Sequence, residues 1–112
     1  MRYTTLGNTG RKVSVLGCGT MWFSNMTQDA TDLALNHALD RGVSYFDCAR
    51  GYGDAEIKVG RAIGARRDEF FMATKTAARD AKAAAREIDE SLQRLGMDHI
   101  DLIQIHYVNY QA

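Results

Sequence analysis

Four side chains that can hold or move a proton interrupt otherwise apolar segments of this chain. Asp47 follows the segment VSYF, Lys75 follows FFMAT, and His106 follows IDLIQI. Tyr52 lies in a glycine-flanked loop five residues after Asp47. Polar residues at the ends of apolar strands are where parallel α/β folds build their sites. The four residues are therefore the first candidates for chemistry.

The chemistry that suits this set is proton transfer to a carbonyl oxygen while a hydride reaches the carbonyl carbon. A tyrosine phenol ordinarily ionises only near pH 10, but an adjacent ammonium stabilises its phenolate. Lys75 can supply that charge for Tyr52, and Asp47 can keep a buried Lys75 protonated. His106 can donate a hydrogen bond to the substrate oxygen or share the proton relay with Tyr52.

Each candidate taken alone also has an ordinary structural interpretation. Asp47 resembles a cap or turn residue, Tyr52 a loop aromatic, and Lys75 a strand end with its charged tip in solvent. Together, however, these residue types comprise one acid and the groups that adjust its pKa, and all fall on the same expected face of the fold. The combination favours a site over coincidence.

The segments between these residues alternate short apolar runs with stretches of helical period, which indicates β-α-β units and a parallel sheet. We expect a hairpin over residues 3–14. Thr27 should cap a first helix that Gly42 ends, Asp54 should cap a short second helix, and Gly96 should end a third helix with an exposed charged face that includes Arg94. The expected strands are residues 13–19, 43–48, 70–75 and 100–107.

Four strands and three crossover helices correspond to half of a (β/α)₈ barrel, which typically needs about 250 residues. The predicted fold class is therefore α/β, the N-terminal half of a TIM barrel preceded by a hairpin, with residues 1–112 as a single incomplete barrel domain. An open doubly wound sheet is the alternative. Its usual G-x-G-x-x-G turn is not matched by GCGTMW at residues 17–22, which lacks the third glycine.

Charge and composition limit the class of partner. Fourteen basic and fourteen acidic side chains cancel, so no net field recruits nucleic acid or an anionic membrane. No segment has the apolar length of a signal peptide or a membrane span. Cys18 and Cys48 form no metal-spaced pair or disulfide framework, so we expect a cytoplasmic protein in which both thiols are small core residues.

Several motifs resemble one family, the aldo-keto reductases, in order and spacing over essentially the whole chain. FDCARGYG at residues 46–53 is similar to that family's aspartate and tyrosine signature, ATK at 73–75 to its lysine strand, and DLIQIH at 101–106 to its histidine strand. The opening LGNTGRKVSVLGCGTMW at 6–22 and ALDRGVSYFD at 38–47 are also similar. The chain is identified on these motifs as resembling a bacterial-type member.

The resemblance implies roles for the four candidates. Tyr52 would be the general acid in carbonyl reduction and the base in alcohol oxidation, tuned by Lys75 and Asp47, with His106 orienting the carbonyl. The cofactor would be NADPH, bound without a Rossmann turn, and the substrates aldehydes, ketones and sugar or steroid carbonyls. Gly19, Thr20, Met21 and Asp47 would lie beside the cofactor, and Trp22 and Phe23 would form a wall of the substrate pocket.

Two other interpretations remain open. The chain could be a catalytically silent module that self-associates through open sheet edges, because half a barrel leaves its outer strands unpaired. A phosphate-binding barrel isomerase or lyase is a third possibility, since its phosphate loops would follow later strands. The ending at Tyr110, Gln111 and Ala112, directly after the fourth strand, leads us to expect a fragment of a longer protein that needs its other half for activity.

Overall fold

The computed structural model describes residues 1–109, so the expected break at residues 110–112 lies outside the described residues. The predicted hairpin is confirmed as two antiparallel strands, β1 (Tyr3–Thr5) and β2 (Lys12–Ser14). The remaining strands are β3 (Cys18–Gly19), β4 (Tyr45–Asp47), β5 (Phe71–Thr76) and β6 (Leu102–Ile105). The helices are α1 (Gln28–Asp40), α2 (Ala55–Ile63) and α3 (Ala81–Leu95), with two 3₁₀ helices at Met21–Asn25 and Gly64–Glu69.

Strands β3 to β6 form one parallel sheet in the order β3-β4-β5-β6. Gly19 pairs with Asp47, and Asp47 with Ala73, so the carboxyl ends of neighbouring strands meet at one edge. A helix joins each strand to the next, because parallel neighbours need a crossover connection and this is usually an α-helix. The predicted α/β arrangement of a hairpin, four parallel strands and three helices is confirmed.

The predicted extent of the first parallel strand, residues 13–19, is wrong. Val13 and Ser14 belong to the hairpin strand β2, and only Cys18 and Gly19 pair with β4. The backbone N–H of Ser14 donates to the Ser44 hydroxyl (2.9 Å), and that of Val15 donates to the carbonyl of Arg2 (2.9 Å). Because the N–H groups of Ser14 and Val15 donate to Ser44 and Arg2, they do not bond to β4, and the parallel ladder begins only at Cys18.

The fourth parallel strand is also shorter than predicted. It ends at Ile105 rather than at residue 107, which puts His106 in the turn that follows. Tyr107 has a φ of 54°, a left-handed conformation that is incompatible with an extended strand. The two 3₁₀ helices were not predicted, since runs this short carry no clear hydrophobic period.

The core lies between the sheet and its helices. Phe46 and Met72 from the strands are fully buried against Leu35 of α1 and Val59 of α2. Phe71 and Ala73 point to the opposite face, because successive strand residues alternate, and there they pack with Val13 of the hairpin. The hairpin therefore covers one part of the inner face of the sheet.

Helix ends follow the predicted caps with one exception. Thr27 accepts a hydrogen bond from the backbone N–H of Ala30 (3.2 Å) as predicted. Asp80, which was not predicted as a cap, accepts one from the N–H of Ala83 (2.9 Å) at the start of α3. Gly42 and Gly96 have positive φ values of 90° and 61° where α1 and α3 end, as predicted. Asp54 precedes α2, but its side chain makes no capping hydrogen bond. It lies 3.2 Å from the Lys58 ammonium instead, which corrects its predicted role.

Helices α2 and α3 pack closely against each other at Gly60. A side-chain carbon added at Gly60 would lie only 2.1 Å from the carbonyl oxygen of Leu95. Gly60 weakens α2 by its low helix propensity, but no larger residue fits without moving one of the helices. Within residues 1–109, none of these helices has the length and apolar character that crossing a membrane requires.

Candidate active site

Lys75 is the centre of a polar cluster at the carboxyl edge of the sheet. Its ammonium lies 2.6 Å from the Asp47 carboxylate and donates to the Cys48 carbonyl at 2.7 Å. The Lys75 side chain is 14% exposed and that of Asp47 is 31% exposed. The pair forms because Asp47 ends β4 while Lys75 stands on the neighbouring strand β5.

The electrostatic environment keeps Lys75 charged. Partial burial alone would lower the pKa of Lys75, because removing a charge from water disfavours the charged form. The hydrogen bond and negative charge of Asp47, with a smaller contribution from Tyr52, outweigh burial and raise the pKa of Lys75 above its ordinary value. Lys75 is therefore an ammonium throughout the physiological range.

Tyr52 lies beside this ammonium. The Tyr52 hydroxyl is 3.4 Å from the Lys75 Nζ, and the same nitrogen is 5.0 Å from the centre of the Tyr52 ring. Tyr52 stays in place because its carbonyl accepts a hydrogen bond from the Ala55 N–H (3.0 Å) at the start of α2. The phenol is thus held by the loop between β4 and α2 within reach of a positive charge.

His106 faces Tyr52 from the end of β6. The two rings meet edge to face with their centres 5.6 Å apart, and the His106 ring stacks on the Tyr107 ring with their centres 3.9 Å apart. Partial burial and the positive charges of Lys75 and Arg79 lower the pKa of His106 below its ordinary value, against the opposing charge of Asp47. The imidazole is consequently neutral near pH 7, so it can donate from one nitrogen and accept at the other.

Two of the predicted cofactor-side residues, Gly19 and Thr20, directly neighbour Asp47. Thr20 is fully buried, and both its backbone N–H and its hydroxyl donate to the Asp47 carbonyl at 2.9 Å. A side-chain carbon added at Gly19 would meet nothing within 4 Å, so this backbone borders open space, and Met21 is 46% exposed. The loop thus presents Gly19 and Met21 outward, whereas the Thr20 side chain holds the end of β4.

The predicted substrate-wall residues lie on the first 3₁₀ helix. Trp22 is 71% exposed, whereas Phe23 is half-buried and packs against the core cluster. Phe23 therefore anchors the segment while Trp22 is available to a ligand. We call the 3₁₀ helix Met21–Asn25 the wall segment.

A second polar network, which the sequence did not reveal, lies behind the cluster. Glu56 is fully buried on α2 and accepts hydrogen bonds from Thr74 of β5 (2.7 Å) and Arg94 of α3 (3.1 Å). Arg94 also donates to the Gly53 carbonyl, next to Tyr52. The predicted exposure of Arg94 is therefore wrong, because its guanidinium binds the buried Glu56 carboxylate. The signal available in the sequence was Glu56 itself, directly beside the apolar stripe of α2.

The two thiols are structural rather than reactive. Cys48 is fully buried next to Asp47, and burial raises its pKa to about 11. Cys18 is half-buried in β3, and burial raises its pKa as well. A thiol with a raised pKa is a poor nucleophile near neutrality. The chemistry of the site therefore depends on oxygen and nitrogen groups.

The geometry provides a phenol, a neutral imidazole and an ammonium charged near pH 7 that converge on one edge of the sheet. Such a set can deliver a proton to an oxygen and stabilise the phenolate that is left behind. All four residues that the sequence singled out, namely Tyr52, Lys75, Asp47 and His106, are brought together here.

Comparison with known proteins identifies the family. The sequence model described as "Aldo/keto reductase family" matches residues 15–112. Among curated relatives, Aldo-keto reductase YhdN from Bacillus subtilis (strain 168) is 37% identical over 96% of this chain and 38% of its own length. The chain thus spans about two fifths of that relative's length.

Solved structures agree on the fold. The holo form of aldo-keto reductase AKR11C1 from Bacillus halodurans superposes with a TM-score of 0.85 at 28% identity, over 94% of this chain and 40% of that one. An aldo-keto reductase from Klebsiella pneumoniae in complex with NADPH superposes with a TM-score of 0.79 at 29% identity, over 89% and 37%. The predicted half of a TIM barrel is confirmed by these superpositions, and the chain belongs to the aldo/keto reductase family.

Proposed function

We propose that this chain carries the proton-donating part of an NADPH-dependent reductase that converts aldehyde and ketone carbonyls to alcohols. We also propose that residues 1–112 are the N-terminal portion of one barrel domain. The observation that carries the proposal is the position of the Lys75 ammonium, 2.6 Å from Asp47 and 3.4 Å from the Tyr52 hydroxyl.

In this proposal each of the four residues has one task. Tyr52 gives its proton to the carbonyl oxygen as a hydride reaches the carbon, so that the product is a neutral alcohol. Lys75 stabilises the resulting phenolate, and Asp47 keeps Lys75 protonated against the cost of burial. His106, neutral at pH 7, donates a hydrogen bond that orients the carbonyl oxygen towards Tyr52.

The residues beside Asp47 fit a nicotinamide cofactor. The open space at Gly19 and the exposed Met21 leave room for a flat ring, and Asp47 offers a carboxylate to a ribose hydroxyl. Thr20 would act on the cofactor through the Asp47 backbone that it holds. NADPH would supply the hydride. The NADPH complex of the Klebsiella pneumoniae relative supports this choice of cofactor.

The substrate pocket would use Trp22 and Phe23 as one wall. An exposed indole offers a large, rigid apolar surface to a ligand. This favours small-molecule carbonyl compounds with an apolar group next to the reacting carbon. We further propose a cytoplasmic location, in keeping with the free thiols Cys18 and Cys48.

The test is a fluorescence titration with NADPH of the 112-residue chain and of a longer polypeptide that completes the barrel. Aldehyde-dependent loss of absorbance at the nicotinamide band is measured in parallel. We expect saturable binding and turnover by the longer polypeptide, since the relatives are more than twice as long as this chain. A completed barrel that neither binds NADPH nor reduces any aldehyde would refute the proposed activity.

Exposed apolar side chains support a second candidate, self-association through the sheet edges. Val15 and Leu16 precede the outer strand β3 with exposed fractions of 51% and 59%, and Ile105 of the opposite outer strand β6 is 61% exposed. Open strands with apolar neighbours favour pairing with another chain. Sedimentation velocity over a range of concentrations tests this. A monomer at the highest concentration would exclude it.

A further inference from the structure

The Lys58 side chain reaches from α2 to the carboxyl-terminal end of the wall segment and to Met26, the residue that follows it. The ammonium donates to the carbonyls of Phe23 (3.1 Å), Ser24 (3.0 Å) and Met26 (2.6 Å). An ammonium has three N–H donors, and three backbone acceptors match that number. The Asp54 carboxylate lies 3.2 Å away and balances the charge.

Carbonyls at the end of a helix carry partial negative charge and have few partners within the helix. Here the Phe23 carbonyl also accepts from the Met26 N–H (3.0 Å). Lys58 satisfies these groups with a side chain that is only 14% exposed, so water competes weakly for them. The Lys58 main chain also bonds to this region. Its carbonyl accepts a hydrogen bond from the side-chain amide of Gln28 (3.1 Å) at the start of α1. One residue therefore fixes both the wall segment and the helix that follows it.

The same helix also positions the proposed acid. The Ala55 N–H, in the first turn of α2, donates to the Tyr52 carbonyl at 3.0 Å. The Tyr52 loop lies close to the wall segment, since a side-chain carbon added at Gly53 would come within 3.3 Å of the Cβ of Ser24. Helix α2 thus holds Tyr52 at its first turn and the wall segment through Lys58.

From these contacts we propose that Lys58 is a positioning residue that fixes the aromatic wall of the carbonyl pocket relative to Tyr52. The proposal rests on the function proposed above, in which Trp22 and Phe23 contact the substrate. The Lys58 ammonium binds backbone carbonyls, so it acts on Trp22 and Phe23 through the backbone that carries them.

The chain contains a single tryptophan, Trp22, which makes the wall segment directly observable. The test measures the time-resolved fluorescence anisotropy of Trp22 in the full chain and in Lys58→Met, which keeps the bulk but loses the three donors. Lys82→Met, on the exposed start of α3, is the matched control. Thermal unfolding by circular dichroism confirms that each variant is folded at the temperature used.

We expect Lys58→Met to lose roughly half or more of the slowly decaying anisotropy, because the released segment moves on the nanosecond timescale of loops. Lys58→Arg keeps the charge and the donors, so its decay should stay closer to that of the parent chain than that of Lys58→Met does. Lys82→Met should match the parent. If Lys58→Met does not fold, Lys58→Gln, which keeps a shorter neutral donor, is judged by the same criterion.

A folded Lys58→Met or Lys58→Gln variant with the anisotropy decay of the parent would overturn the proposal. An equal loss in Lys82→Met would also overturn it, because the change would then reflect general destabilisation. No cofactor or substrate is present in this measurement. A failure of the proposed reductase activity would therefore leave the result for Lys58 unchanged, and the two failures are distinguishable.

Discussion

The Lys75 ammonium lies 2.6 Å from the Asp47 carboxylate although 28 positions separate the two residues in the sequence. Parallel pairing of β4 with β5 brings them together, with Asp47 opposite Ala73 and Lys75 two residues further along β5. The contact holds the Lys75 ammonium beside the Tyr52 phenol. It is the structural basis for the proposed proton transfer.

Replacing Asp47 should change the titration of Lys75. In the parent chain the Asp47 carboxylate more than offsets partial burial and raises the pKa of Lys75. In Asp47→Asn the negative charge that raises the pKa of Lys75 is gone, while partial burial still lowers it. The pKa of Lys75 should therefore fall below its value in the parent. NMR of the Lys75 side chain as a function of pH measures the change. The control is Glu90→Gln, which removes the partner of Arg50. An unchanged Lys75 titration in Asp47→Asn would contradict the assigned coupling.

Gly60 and Gly64 should respond in opposite ways to the same substitution. Gly60→Ala puts a carbon 2.1 Å from the Leu95 carbonyl oxygen, whereas Gly64→Ala puts one at an ordinary 3.7 Å. We expect Gly60→Ala to lower the free energy of unfolding by about 2 kcal/mol through overpacking. Gly64→Ala, at a residue with right-handed helical backbone, should be neutral or stabilising by up to about 1 kcal/mol. Urea unfolding compares the two, and equal effects would refute the close contact of α2 with α3.

Asp101 should account for part of the acid sensitivity of the fold. Its side chain is 2% exposed and lies 2.6 Å from Arg67 and 3.0 Å from Arg11. Burial opposes ionisation, but the Met72 N–H, Arg67 and Arg11 together hold the pKa of Asp101 below its ordinary value. The stabilisation is therefore complete above about pH 4. It is lost as the pH falls through the lowered pKa of the folded state.

The variant Asp101→Asn should lose this stabilisation at neutral pH, by about 3 kcal/mol, because it leaves the Arg67 charge without its buried partner. Its stability should also depend less on pH between neutrality and acid than that of the parent. The matched control is Asp89→Asn, at an exposed position of α3. Urea unfolding at several pH values tests this prediction. An Asp101→Asn variant as stable as the parent at pH 7 would contradict it.

The sequence predicted the elements whose ends are marked by specific residues. Gly42 and Gly96 identified the ends of α1 and α3, because only a residue without a side chain adopts their positive φ easily. The β4 and β5 positions of Asp47 and Lys75 followed from the apolar segments that precede them. Their proximity then followed from the rule that parallel strands align their carboxyl ends.

The remaining features depend on contacts between distant residues, which a single sequence does not show. The hydrogen bonds of Ser14 with Ser44 delay the first parallel strand, and neither serine is distinctive in the sequence. Arg94 looked like a solvent-facing residue of α3, because the buried Glu56 that attracts it belongs to α2. Lys58 likewise gave no sign that it reaches the wall segment.

The most direct test of the central claim is the rate of aldehyde-dependent NADPH oxidation by the completed barrel, compared for Tyr52→Phe and Tyr107→Phe. Tyr107→Phe is the matched control, because it keeps the ring that stacks on His106 and lies outside the Lys75 cluster. We predict that Tyr52→Phe lowers the rate by roughly 100-fold or more without weakening NADPH binding, while Tyr107→Phe keeps most of the activity. A Tyr52→Phe enzyme as active as the parent would show that Tyr52 is not the proton donor.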